Sequence, residues 1–361
     1  MENLSKFYID GVWSQPNSGA TMPVLNPATE RQVGVVALGN AADVDAAVAA
    51  ASRAFASYSQ TTKAERLVFL GRLLKVTEAR FEDLAQAMSM EMGAPISMAR
   101  DAHADAAVGH LQGFIEALGQ LQERESLTSG DIQLREPIGV CGLITPWNWP
   151  MNQIALKVIP ALATGCTCVF KPSEHTPISA MIYAEIIHEA GFPAGVFNLV
   201  QGDGHTVGAA MSRHCDIQMM SFTGSTRAGT AVTRDAADTV KRVTLELGGK
   251  SPNLVFADCD LQDRVTASVG ECMYNTGQSC DAPTRLLVER SCYDVAVEIA
   301  KRAADATQVG DPTQEGDHIG PLFDRIQFDR VQAMIAVGID EGATVLAGGL
   351  GKPEGITDGW F

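Results

Sequence analysis

Three stretches of this chain hold side chains that could do chemistry. In Asn275-Thr276-Gly277-Gln278-Ser279-Cys280-Asp281-Ala282 a single thiol follows a small, polar, glycine-bearing loop. A thiolate is a good nucleophile and is readily displaced again from a thioester. The loop joins a helix-like run, residues 262–274, to a strand-like run, residues 284–288. Binding and catalytic groups concentrate on such connections. On its local residues alone, Cys280 reads equally as a small structural hydrophobe or as a nucleophile, because reactivity needs an electropositive, partly exposed setting. The second stretch, Glu246-Leu247-Gly248-Gly249-Lys250-Ser251-Pro252, offers a carboxylate beside two glycines. The third, Ile144-Thr145-Pro146-Trp147-Asn148-Trp149-Pro150, offers an amide between two tryptophans and two prolines.

Other loops have the character of ligand-binding turns. Phe222-Thr223-Gly224-Ser225-Thr226 places Ser225 where it caps the following helix, and free N–H groups at a helix start attract phosphate. Lys171-Pro172-Ser173-Glu174 brings one donor and one acceptor together at a strand end, a pattern that a solvated loop pair also produces. Gly202-Asp203-Gly204-His205-Thr206-Val207-Gly208 follows a strand and opens a helix. It misses the dinucleotide fingerprint, since Val207 stands where the third glycine belongs.

The elements that must position these loops alternate strand and helix from residue 139 onward. Apolar runs at 140–144, 166–170, 196–200, 217–222 and 243–245 are separated by helix-like segments at 153–163, 179–190, 206–212 and 226–236. This predicts βαβ units and a parallel sheet, with ligands beyond the carboxyl ends of the strands. A second set follows: strands at 253–256 and 285–288, helices at 293–306 and 324–340, and one more strand at 344–346. Upstream, Asp10-Gly11 predicts a type I′ hairpin across residues 7–13, Asn26-Pro27-Ala28 a turn, and residues 31–38 a strand. Helices are predicted at 43–55, 64–76, 81–92 and 96–122, the second with Leu67, Leu70, Leu73 and Leu74 on one face. Met88, Met90 and Met92 read as core filling. Residues 123–136 are polar and predict a short hairpin.

Bulk composition excludes several classes. A length of 361 residues predicts two to three domains, and 46% hydrophobic with 19% charged residues is ordinary for a soluble globular protein. A net charge of -16 with no basic run argues against nucleic acid. Neither a signal-peptide-like start nor a membrane-length apolar stretch is seen. The eight cysteines are scattered, and Cys166-x-Cys168 lacks a second pair or a histidine cluster. A cytoplasmic, reduced, metal-free protein is the expectation.

Taken in order, these segments make the chain resemble the aldehyde dehydrogenase superfamily, in its NAD(P)-dependent hydrolytic branch, from about residue 7 to 361. The resemblance implies an α/β fold: a Rossmann-like NAD-binding domain over 1–122 and 137–249, an oligomerisation arm at 123–136, and a second α/β catalytic domain over 250–361. It implies that Cys280 attacks an aldehyde and that Asn148 with the Cys280 backbone N–H stabilises the oxyanion. Glu246, its pKa raised by burial, then activates the water that hydrolyses the thioester. Lys157 matches a lysine linked to proton movement, although the glutamate it would pair with is not in this chain. Cofactor contacts are implied for Ile144, Thr145, Trp147, Lys171, Ser173, Glu174, Gly204, Gly208, Phe222, Thr223, Gly224, Ser225, Leu247 and Gly248. A carboxylate at Glu174 accepts ribose hydroxyls and repels a 2′-phosphate, so NAD is favoured, with NADP possible. The expected partners are a small aldehyde and further copies of the chain, as a homodimer or homotetramer. Two positions depart from the family: Pro283 replaces a common glycine, and Asp281 adds a negative charge beside the thiol. Relatives continue past Gly359-Trp360-Phe361, which sets a second expectation, a catalytically impaired cofactor-binding fragment. A coenzyme A-acylating relative is a third; Glu246 counts against it.

Overall fold

The computed structural model describes residues 3–361, which divide into two compact units. The first takes the chain up to Val24, then Gln32–Met88 and Arg100–Leu247; the second takes Leu25–Arg31, Ser89–Ala99 and Gly248–Phe361. The last division falls after Leu247. The two early segments of the second unit have no counterpart in the sequence reading, because the periodicity of helix Phe81–Met92 runs unbroken through the division.

The first unit is organised on a seven-stranded sheet. Across it lie Arg242–Leu247, Met219–Gly224, Val140–Ile144, Thr167–Lys171, Phe197–Leu199, Phe7–Ile9 and Val12–Ser14. The first five are parallel; the last two join antiparallel. All five residues of Val140–Ile144 are buried, as expected for a parallel strand covered on both faces. One face packs Val44, Ala47, Val48 and Ala51 of helix Ala41–Tyr58 against Met220, Phe222 and Val232. That helix starts at Asn40, whose side chain and that of Asp43 close a reciprocal capping box. Helices Pro150–Ala163 and Pro177–Glu189 each begin on a proline, whose missing N–H costs nothing in the first turn. From Val140–Ile144 the chain steps outward through two strands, then returns to the other side with Met219–Gly224. The reversal opens a crevice at the carboxyl ends of those two strands.

Several expectations are met in altered form. Asp10 (φ 54°) and Gly11 (φ 78°) make the positive-φ turn of the first hairpin. In helix Lys63–Ala79 the inward stripe is Arg66, Leu70, Leu73 and Thr77, with Leu67 and Leu74 half-buried at its flanks. Burying Leu70 and Leu73 contributes roughly 1.5–3 kcal/mol each. Arg66 reaches the Thr61 carbonyl and Glu123, tying down the root of the short hairpin Arg124–Ser126/Ile132–Leu134. The helix expected over 96–122 is broken: a π-helical turn, Ala99–Ala104, precedes Asp105–Gln120.

The second unit holds a two-stranded parallel sheet, Pro252–Val255 with Arg285–Val288, connected through helix Leu261–Met273. Val255, Val265, Ala296 and Ile299 form its core, with Leu286 and Val288 packed on it. Alternation sends Leu254 and Leu287 to the other face, where they are exposed. Residues 344–346 do not form the expected strand, since a strand needs a ladder partner and none pairs with them among the described residues. Val345 and Leu346 instead line an apolar cavity of about 460 Å³ with Val269, Met273, Leu286 and Ile335. The terminal turn is tied in: Trp360 donates its N–H to the Pro27 carbonyl at 3.0 Å and accepts from Leu322 N–H at 2.8 Å. Among the described residues no helix is long and apolar enough to cross a membrane.

Candidate active site

In the first unit the expected cofactor residues gather at the carboxyl edge of the sheet. Ile144 ends the central strand, and Thr145, buried, donates its N–H to the Lys171 carbonyl at 3.2 Å. Lys171 ends the next strand with its ammonium buried, donating to Glu174 Oε2 at 3.0 Å, the Pro172 carbonyl at 2.8 Å and the Gly202 carbonyl at 2.6 Å. Burial pushes the Glu174 carboxyl up, but the Lys171 ammonium and local hydrogen bonds outweigh it and hold the carboxyl below its ordinary range. Lys171 and Glu174 are thus a half-buried built pair, not the solvated loop pair that the local residues allowed. Ser173 is buried beside them and accepts from His175 N–H.

Gly204 and Gly208 bound a π-helical turn capped by Asp203. A Cβ at Gly208 would lie 3.7 Å from the Ile144 side chain, while Gly204 faces open space. Ser225 caps helix Thr226–Ala237 by accepting from Ala228 N–H at 3.2 Å, so the capping reading is realised and leaves its hydroxyl proton available. Phe222 turns its ring into the core, and a Cβ at Gly224 would come within 2.6 Å of that ring. Leu247 packs against the same core. Any contact Phe222 and Leu247 make at the crevice is therefore through backbone. Thr223 Oγ1 is buried without a hydrogen-bond partner.

Asn148 is half-buried and is not the helix cap: the cap position is Trp149, without a side-chain bond. Trp149 stacks on His103 at 4.2 Å; Trp147 is half-buried. Glu246, near the end of its strand, is exposed and not buried as expected. Lys157 does not snorkel. It is 6% exposed and donates to Ser221 Oγ at 3.0 Å; burial pulls its pKa down to about 8, opposed by the charge of Glu246.

The second unit carries Gly248, Gly249 and Cys280. After helix Leu261–Met273 the backbone makes three left-handed residues in a row, Asn275 (φ 52°), Thr276 (φ 57°) and Gly277 (φ 71°). Two of them are not glycine, and each costs roughly 1–2 kcal/mol in that conformation. The loop is held by the Thr276 hydroxyl on the Gly320 carbonyl (3.2 Å), by Phe323 N–H on Gln278 Oε1 (3.0 Å) and by Gln278 Nε2 on the Asn275 carbonyl (3.1 Å). Beyond it Cys280 is exposed, as is Asp281. Gly249, three residues along the chain from Glu246, backs onto the Cys280 carbonyl oxygen, 3.8 Å from where a Cβ would stand.

Cys141, Cys166 and Cys168 are buried. One group of metal-ligand type comes together among the described residues, the consecutive His214, Cys215 and Asp216, within 4.8 Å on a surface turn.

This geometry coincides with known proteins over the whole chain. Residues 13–361 match the aldehyde dehydrogenase family. The chain belongs to that family. It is 48% identical to a 3-succinoylsemialdehyde-pyridine dehydrogenase from a Pseudomonas species, covering 100% of this chain and 76% of that protein. A solved aldehyde dehydrogenase from Bartonella henselae superposes with TM-score 0.97 at 50% identity, over 99% of this chain and 75% of that one. Aldehyde dehydrogenase C of Pseudomonas syringae, solved as a cysteine-to-alanine mutant with NAD+ and octanal, gives TM-score 0.98 at 49% identity, over 100% and 74%. The family's members are NAD(P)-dependent oxidoreductases, and the mixed α/β fold with its parallel-sheet core is theirs.

Sequence reasoning missed Ser221, the Gly202 carbonyl and the Gly320–Phe323 tether. The partners are separated by 64, 31 and 44–45 residues, and no local signal marks them.

Proposed function

We propose that this aldehyde dehydrogenase oxidises an aldehyde to its carboxylic acid with NAD, using Cys280 as nucleophile and Glu246 as base. The observation that carries the reading is the constrained left-handed turn that presents an exposed Cys280 within a chain so similar to NAD-linked relatives. The Pseudomonas syringae relative was solved, as a cysteine-to-alanine mutant, with NAD+ and octanal, which supports the cofactor and the substrate class of this reading.

The carboxyl edge of the first unit suits a dinucleotide. Glu174 can accept from ribose hydroxyls, the N–H groups that open helix Thr226–Ala237 suit a pyrophosphate, and the buried Thr223 hydroxyl lacks a partner that a ligand would supply. The open space at Gly204 lets a ligand approach backbone. Bound NAD supplies the two-electron acceptor for hydride.

The chain's own residues do the rest. The Cys280 thiolate adds to the aldehyde carbon, and the oxygen takes up the electron pair of the C=O bond. Asn148 stabilises that oxygen together with the Cys280 N–H. After hydride leaves, a thioester remains on Cys280. Glu246 takes a proton from water as its oxygen adds to the thioester carbon, and the thiolate departs from the acid.

Residues 123–136 serve as the subunit-joining arm in this reading: Leu127, Ile132 and Leu134 are exposed on it. The test is NADH formation across a panel of aldehydes. Cys280→Ala should abolish turnover and leave NAD binding nearly intact; Glu246→Gln should keep a first-turnover burst and slow the steady rate by roughly 10²–10⁴-fold. Turnover retained in Cys280→Ala would end the assignment.

A further inference from the structure

The thiols of Cys166-x-Cys168 take no part in the chemistry above. Strand Thr167–Lys171 gives its Thr167 hydroxyl to the Ala51 carbonyl and packs Val169 with Val140 and Ile144 into the core beneath helix Ala41–Tyr58. Alternation therefore turns Cys168 to the opposite face of the sheet. Cys141 of the neighbouring strand shares that face, since the two cysteines are in register. Cys166 stands just ahead of the strand, two residues before Cys168, with its thiol in hydrogen-bond contact with that of Cys141. Three buried thiols thus meet at the amino edge of the sheet, away from the carboxyl edge where the expected cofactor residues gather.

Of the three, Cys166 is surrounded by donors. The Cys141 S–H donates to its sulfur, as do the Thr164 hydroxyl at 3.5 Å and the backbone N–H groups of Gly139 and Ile138. Led by the Cys141 contact, these donors outweigh burial and bring the Cys166 thiol down to about 6. The same contact, with burial, pushes Cys141 well up, so it keeps its proton. Burial also holds the protons of Cys168 and Tyr58, the other acids beside Cys166. Positive charge comes from Arg66, which is shared with Glu123. One of its guanidinium nitrogens is 3.4 Å from where a Cβ would stand on Gly165, the residue before Cys166. Donors and positive charge together are the setting in which a thiol becomes nucleophilic.

We propose that Cys166 and Cys141 are a peroxide-oxidisable pair, in which Cys166 is the sulfur that reacts and Cys141 the thiol that closes a disulfide with it. The Cys166 thiolate attacks one oxygen of hydrogen peroxide and the O–O bond breaks, leaving a sulfenic acid and hydroxide. Hydroxide takes the Cys141 proton and departs as water. The Cys141 sulfur then attacks the Cys166 sulfur, and the S–O bond breaks with loss of a second hydroxide. The two sulfurs together lose two electrons, and peroxide gains them. Burial restricts the pair to an oxidant as small as peroxide; exposed Thr164 and Ile138 flank the way in. The bridge joins strand Val140–Ile144 to the turn after helix Pro150–Ala163 and leaves Cys280 out of the reaction.

The whole chain, and its Cys280→Ala variant, are treated with hydrogen peroxide at pH 7. The remaining thiols are alkylated after unfolding, and the peptides are mapped by mass spectrometry. A crosslinked peptide joining Cys141 to Cys166, lighter by two hydrogens, is expected in both proteins. Cys141→Ala should stop at the sulfenic acid, trapped on Cys166 by dimedone. Cys166→Ala should leave Cys141 reduced, and Cys168→Ala should keep the bridge. The proposal is overturned if Cys141 and Cys166 both remain alkylatable once the exposed Cys215 has been oxidised, or if the bridge forms through Cys168. Mapping the unaltered chain decides this even where a core variant fails to fold, and it needs no turnover, so its outcome is independent of the role given to Cys280.

Discussion

Lys157 shows how far surroundings can move a single side chain. Its position in a helix allowed a flexible surface stem, yet it is buried, and burial brings its pKa from 10.5 down to about 8. Between those two values the unfolded chain binds more protons than the folded one, so this residue makes stability rise with pH through that window. Below about 8 its unfavourable contribution is fully present, roughly 3 kcal/mol by the linkage relation. Lys157→Met should therefore be more stable than the parent at pH 7, by up to about that amount, with the gain shrinking toward pH 10.5. Urea midpoints taken across this range check it. A gain that stayed constant with pH would trace to packing and not to charge. Glu246 makes the opposite point: a carboxylate expected to be buried stands exposed, because its strand alternates its inward positions to Val243, Leu245 and Leu247.

At the scale of an element, the connection from helix Leu261–Met273 to Cys280 decides how the thiol is presented. The helix, the break after it and the glycine are legible from the residues; the left-handed backbone at Asn275 and Thr276 is not. A β-branched residue such as Thr276 avoids that region unless contacts over-determine it, and here they come from Gly320 and Phe323, far along the chain. Gly277 has φ 71° and no crowding around its missing side chain closer than 3.5 Å, so Gly277→Ala isolates backbone strain. It should destabilise by about 1–2 kcal/mol in urea unfolding, with the slope unchanged. An unshifted midpoint would show that the turn relaxes without cost. In the same way, residues 344–346 carry a strand's composition but no ladder, and their apolar side chains line a cavity instead.

For the whole molecule, exposed apolar surface and net charge pull in opposite directions. The second unit exposes Leu254, Phe256, Leu287, Ile326, Met334 and Leu350, each at least half accessible. Such surface favours association. A net charge of -16 keeps copies apart at low ionic strength, and salt screens that repulsion. Self-association measured by light scattering should thus grow between low and high salt, and Phe256→Lys with Ile326→Lys should reduce it. Scattering that is flat with salt, or unaltered in the double variant, would count against this. A second expectation concerns the cofactor: NAD at about 100 times its Kd should stabilise the chain by roughly 2.7 kcal/mol, a thermal shift that Glu174→Gln should diminish. An equal shift in the variant would remove Glu174 from the cofactor site.

The order of strands and helices from residue 139 onward, the turn at Asp10-Gly11 and the family itself were all determined by sequence, because periodicity, turn chemistry and motif order are local properties. The motifs Asn148, Lys171 to Glu174, Phe222 to Ser225, Glu246 and Cys280 could be located the same way. Tertiary structure alone decided which of their side chains are buried and what they touch. It set Lys157 on Ser221, gave the Lys171 ammonium the Gly202 carbonyl, drew residues 25–31 and 89–99 into the second unit, and left 344–346 without a ladder. Each of these depends on a partner 31 or more residues away, or on the lack of one among the described residues. Local composition carries no record of such distances, since what a side chain meets is set by how packed elements cross and not by its neighbours in the chain.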